Sequence, residues 1–229
     1  FAAEHPRARR SRLLQRIAAI ETRRRPRERE LAWLAESIAK NEPRAGLRQL
    51  LVDVTTLARE DLGTGIQRVV KSVLARWIAE PPAGFRVEPV VRRNGSLYWA
   101  RRFTTGFCGV DGLGLADEVT EIDRGDVFLG LDWDTGIDGI SFSQFHFEGN
   151  RGLKTYFVVY DLLPIRLPKF FPASMQEVHE RWVRSIASAA DGLICISREV
   201  ADDLHAWLAE HPPDRCTPLP IGYFQLGAD

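Results

Sequence analysis

From residue 50 onward the chain alternates short apolar runs with longer stretches of helical periodicity. Runs at 50–55, 86–92, 97–100, 127–131, 155–160, 193–196 and 219–226 have strand character. Several are continuous rather than alternating, as in LLV, VFLGL and YFVVY, the pattern of strands buried on both faces of a parallel sheet. Between them, 66–79, 173–189 and 198–210 carry apolar residues at three- and four-residue spacing and predict helices. Strand, crossover helix, strand is the order of a doubly wound α/β domain. Upstream, residues 7–41 predict two helical stretches broken near Pro26, with Leu13, Ile17 and Ile20 on one stripe and Leu31, Leu34 and Ile38 on the next.

Charge separates the two parts. The 229 residues are formally neutral, yet residues 1–48 hold 13 Lys/Arg against 6 Asp/Glu. This predicts a basic helical extension or linker over 1–48 and a Rossmann-like domain over 49–229. Arg23, Arg24, Arg25, Arg27 and Arg29 suit a solvated linker or contact with an anionic membrane surface. Nucleic acid is not expected, because no aromatic residue interleaves with them and Glu21, Glu28 and Glu30 dilute their charge. No apolar run approaches the ~20 residues that cross a bilayer. Cys108, Cys195 and Cys216 are few and far apart, which suggests neither a disulfide framework nor a zinc site and fits a cytoplasmic protein. The opening Phe1 leads us to expect a piece of a longer polypeptide.

In doubly wound sheets ligands bind outside the carboxyl ends of the strands, and chemistry-bearing residues cluster there. After the first strand come Gly63, Thr64 and Gly65 and then a helix start. Its unpaired amides and dipole favour a phosphate, although the same pattern also makes a tight turn. Arg68, in the first turn, could reach a phosphate or a sugar hydroxyl, or pair with Glu60 or Asp61. Asp132-Trp133-Asp134 follows the fourth run. The two carboxylates could hold a divalent ion, or Trp133 could serve as a sugar platform with the acids accepting hydroxyl hydrogen bonds, or simply plug the sheet. Tyr160 and Asp161 end the next run. Asp161, the catalytic candidate, could orient an acceptor hydroxyl, act as a weak base or cap the loop's own amides, and Pro164, Pro168 and Pro172 predict an extended ordered loop. Ser197 reads most simply as the N-cap of the helix after it, with a crevice-binding role for Ser197 or Arg198 as the alternative. His146, His179 and His205 show no ligand spacing and read as ordinary histidines.

Taken in order, DVTTLAREDLGTGIQRVV, GDVFLGLDWD, VVYDLLPIRLPKFFP, ADGLICISREVADDL and LPIGYFQLGAD resemble the N-terminal half of a family four, GT-B type glycosyltransferase. The likeness is to bacterial mannosyltransferase-like enzymes of surface polysaccharide assembly. It implies two Rossmann-like domains, the first binding mainly acceptor and the second mainly nucleotide sugar, with retention of configuration and no required metal. It also implies a nucleotide sugar, such as GDP-mannose, as co-substrate, mannose or rhamnose as the hexose moved, and a glycan or lipid-linked glycan acceptor at the inner face of the cell membrane. By position, Gly63, Thr64 and Gly65 match the donor-phosphate loop, and Tyr160-Asp161 stand where many members have His-Asp. Gly227, Ala228 and Asp229 resemble the junction into the second domain, whose absence would leave this piece inactive. Two alternatives remain: a GT-A type transferase using Asp132 and Asp134 with a metal, and a non-catalytic glycan- or partner-binding module.

Overall fold

The computed structural model describes residues 27–29, 47–110, 114–136 and 152–227. The N-terminal helices expected over 7–41, apart from 27–29, lie outside the described residues, as do His146, Ala228 and Asp229. The fold below is that of the unit Leu47–Asp229.

Its strands are β1 (Arg48–Asp53), β2 (Phe85–Arg93), β3 (Ser96–Trp99), β4 (Glu118–Val119), β5 (Val127–Gly130), β6 (Lys154–Val159), β7 (Gly192–Cys195) and β8 (Ile221–Tyr223). They form one sheet in the order β4–β3–β2–β1–β5–β6–β7–β8. The helices are α1 (Thr55–Arg59), α2 (Gly65–Ala79), α3 (Arg101–Phe107), α4 (Leu163–Arg166), α5 (Ala173–Ala189) and α6 (Arg198–Glu210). Pairings from β2 through β1, β5, β6 and β7 to β8 are parallel, so the fold is α/β and Rossmann-like.

The continuous apolar runs have a direct cause. One face of the sheet gives Leu51, Phe128, Phe157 and Val159 to a core completed by Trp182, Val183 and Ile186 of α5 and Leu204 and Trp207 of α6. The other gives Leu50, Val52, Leu129 and Val158 to a core completed by Val70 and Leu74 of α2. Alternate side chains thus meet helices on opposite sides, and neither face is left to solvent. Close packing also accounts for Gly130. It pairs with Phe157 across β5 and β6, and any Cβ at 130 would run into the Phe157 ring.

Two local expectations are corrected. The sheet is not wholly parallel, because β3 runs antiparallel to β2 and β4 antiparallel to β3. The turn between β2 and β3 is Asn94-Gly95, with φ of 50° and 77°, the left-handed pair that a two-residue hairpin turn requires. The proline segment is not extended. Pro164 sits in the first turn of α4 and Pro168 opens a 3-10 turn, Pro168–Phe170, positions where the missing N–H costs no helical hydrogen bond.

The chain leaves β1 toward β2 on one side and later returns to β5 on the other. This reversal opens a crevice at the carboxyl ends of β1 and β5. At the opposite, amino end of the same strands, buried Asp126 accepts from the Gln49 amide at 2.7 Å, from Gln49 Nε2 at 2.8 Å and from the Asp123 amide at 2.9 Å.

Candidate functional site

Three buried carboxylates gather at the crevice. Asp53 ends β1, and Asp132 and Asp134 follow β5, all at most 3% exposed. Asp132 Oδ2 accepts from the Leu57 amide at 2.7 Å and its Oδ1 from the Trp133 amide at 2.9 Å, which ties α1 to the loop after β5. Burial pushes its carboxyl up. Asp134 pairs with Arg92 at the end of β2 and accepts from the Gly136 amide at 2.9 Å. Arg92 also donates from Nη1 to the Gly136 carbonyl at 2.7 Å, and its amide donates to Thr55 Oγ1 at 2.9 Å. Asp53 is less well served. Its Oδ1 accepts from the Thr55 amide and hydroxyl, but its buried Oδ2 has no partner among the described residues. Burial first, and the nearby Asp134 charge second, raise it from 3.8 to about 7.

The loops after β5 and β6 meet at this place. Tyr160 is buried and donates from its hydroxyl to the Leu131 carbonyl at 2.8 Å, and Thr56 Oγ1 donates to the Trp133 carbonyl at 3.1 Å. Asp161 is half-buried, and its Oδ1 accepts from the Leu163 amide at 2.9 Å. Its backbone carbonyl faces Nε2 of buried His179, on α5, at 3.0 Å. The His179 ring lies 5.6 Å from that of half-buried Trp133 and 5.5 Å from that of Trp182. Asp132, Trp133, Asp134, Tyr160 and Asp161 therefore belong to one connected arrangement.

The glycine loop forms a separate feature at the end of α1. Gly63 adopts φ of 65°, a left-handed conformation that favours glycine, whereas Gly65 does not. Thr64 and Gln67 make a capping box at the start of α2. Gln67 is buried and braces the loop further, because its Oε1 accepts from the Leu62 amide at 2.8 Å and its Nε2 donates to the Glu60 carbonyl at 2.7 Å. The Gly63 amide donates to Asp61 Oδ1 at 3.1 Å. Among the described residues, the amides of Gly65 and Ile66 have no protein acceptor, and a Cβ at Gly65 would meet nothing within 4 Å. Arg68 is exposed. Ser197 and Arg198 follow β7 and, among the described residues, share no hydrogen bond or ion pair with Asp53, Asp132 or Asp134. Ser197 Oγ accepts from the Val200 amide at 3.3 Å as the N-cap of α6, and exposed Arg198 stands 3.8 Å from Asp202.

Asp53, Arg92, Gln67 and His179 did not stand out in the sequence. Asp53 and Arg92 had a signal of a kind, since Asp53 closes the apolar run of β1 and Arg92 directly follows the apolar pair Val90-Val91 near the end of β2. Thr64-x-x-Gln67 is a capping-box spelling. Nothing in the spacing of His179 marked it.

No family model and no solved structure matches the chain. Relatives do. The chain is 33% identical, over 99% of its length, to a serotype-specific mannosyltransferase WbdA of Escherichia coli. The chain is mannosyltransferase-like. A second WbdA of Escherichia coli is 34% identical over 87% of the chain. The chain spans about a quarter of the length of these relatives, 27% and 24% respectively. Among the described residues no group of three or more histidines, cysteines or carboxylates is arranged to hold a metal ion, and no helix is long and apolar enough to cross a membrane.

Proposed function

We propose that this unit is the acceptor-side domain of a retaining, GT-B type, family four glycosyltransferase. It moves a hexose, mannose in the first instance, from a nucleotide sugar such as GDP-mannose to a growing glycan or lipid-linked glycan in the cytoplasm. The observation that carries this reading is the identity to proteins named mannosyltransferases along 99% of the chain. The placement of the crevice supports it. In this reading the Gly65 and Ile66 amides, at the positive end of the α2 dipole, face the donor diphosphate, with Gly63, Thr64 and Arg68 shaping that wall. Trp133 offers a sugar platform, and Asp161 accepts the hydrogen bond of the acceptor hydroxyl, with Tyr160, Asp132 and Asp134 holding the loops in register. Ser197 and Arg198 line the far side. As the sugar leaves its diphosphate, the acceptor oxygen bonds to the anomeric carbon and its proton passes to a diphosphate oxygen. No protein nucleophile is needed, and fixed dipoles stabilise the separating charges.

Titrating methyl α-mannoside onto the chain tests the acceptor role. We expect saturable binding that is lost in Asp161→Ala and Trp133→Ala, and no binding of GDP-mannose alone. Donor binding without mannoside binding would reverse the assignment. A metal-dependent GT-A site built on Asp132 and Asp134 is disfavoured because these carboxylates already accept from backbone amides and Arg92. Manganese-dependent donor binding abolished by Asp132→Ala would restore it. Contact of the Arg-rich segment with an anionic membrane belongs to the same proposal, and co-sedimentation with anionic vesicles tests it.

A further inference from the structure

We propose that His179 is a positioning residue that fixes Asp161 and Trp133 relative to one another. The inference deepens the acceptor-site reading and rests on it only for what Asp161 does. The imidazole stands on α5 but touches the ends of two adjacent strands. Its Nε2 lies 3.0 Å from the Asp161 carbonyl, after β6, and its ring packs on Trp133, after β5. Trp182, one turn on along α5, also packs against the ring, at 5.5 Å between centroids. A carbonyl only accepts, so Nε2 carries the proton and donates. Nδ1 is then a bare lone pair, and it is buried without a partner among the described residues. Adding a second proton there would create a buried, unpartnered N–H cation. The ring is therefore held neutral in one tautomer, in keeping with the downward push that burial gives it.

The geometry has a local consequence. The Asp161 carboxylate accepts from the Leu163 amide two residues on, at the start of α4. Its backbone carbonyl is held by His179, so carbonyl and carboxylate together pin the turn from β6 into α4. Loss of the Nε2 donor frees the carbonyl, and the turn opens more often while the strand beneath stays closed.

Hydrogen exchange on the chain reads this, with two variants that separate donor from ring. His179→Phe keeps a ring against the tryptophans and removes the donor. His179→Gln keeps a donor near the Nε2 position and removes the ring. We expect His179→Phe to speed exchange at the Leu163, Arg166 and Leu167 amides by about fivefold, with the β6 amides of Phe157 and Val159 unchanged, and His179→Gln to restore the parent rate. Unchanged loop exchange in His179→Phe would overturn the proposal, as would loop and strand amides accelerating together in both variants. The unmodified chain provides a check that needs no variant. Nitrogen-15 NMR at neutral pH should show neutral His179 protonated on Nε2, and either the Nδ1–H tautomer or an imidazolium would overturn the assignment. If the loop responds as expected and methyl α-mannoside does not bind, the sugar reading falls while the positioning role stands.

Discussion

Strands β1 and β5 carry buried carboxylates at both ends, and the two ends are built differently. At the amino end Asp126 accepts three hydrogen bonds, two of them from Gln49. At the carboxyl end Asp53 keeps one oxygen without a partner among the described residues and stands near two further buried acids, Asp132 and Asp134. The first arrangement stitches neighbouring strands together. The second costs stability where the topology opens a crevice, as expected of a place kept for chemistry rather than for folding.

The sharpest way to break this comparison is to cut each end in turn. Asp126→Ala leaves two backbone amides without their acceptor in a buried setting and takes one of the two acceptors from Gln49 Nε2, which keeps the Glu121 carbonyl. We expect a loss on the order of 3 kcal/mol in urea unfolding. Asp53→Asn should behave in the opposite way. The folded carboxyl binds its proton up to about pH 7, whereas the unfolded one releases it near 3.8. Between those values the native state holds the extra proton, so the parent protein's stability falls as pH rises. The asparagine variant removes that fall, gaining on the order of 3 to 4 kcal/mol over the parent at pH 8 and little at pH 4. Equal pH profiles for variant and parent would remove the distinction between the two ends. The smallest effects concern the glycine loop. Gly63→Ala forces a side chain into the left-handed region and should cost about 1 kcal/mol, whereas Gly65→Ala should leave the unfolding midpoint unchanged. In the proposed transferase a bulky residue at 65 would then block the phosphate wall without disturbing the fold, so Gly65→Trp should abolish transfer at constant stability.

Much of the sheet was legible in the residues, because the burial of β1, β5 and β6 on both faces is written as unbroken apolar runs. The helices over 173–189 and 198–210 coincide with α5 and α6. The antiparallel edge was missed although Asn94-Gly95 spells a hairpin turn, since the parallel pattern of the centre was extended outward. Asp132, Trp133, Tyr160 and Asp161 could be placed at strand ends from the sequence alone. Their connection through His179 could not, because it depends on α5 crossing beneath two loops, a tertiary contact without a local signature. The position of Asp53 at the end of a strand is legible in the same way, but its missing partner is a property of its neighbours in space.

Gly130 and Phe157 leave a mark of another kind. The ring of one fills the space that a side chain on the other would need. These two positions are therefore not free to drift independently. A larger residue at 130 becomes tolerable only after 157 has shrunk, and shrinking 157 first opens a void in the core. Any lineage that changed this pair had to pass through a weakened intermediate, so across relatives the two sites should vary together or not at all.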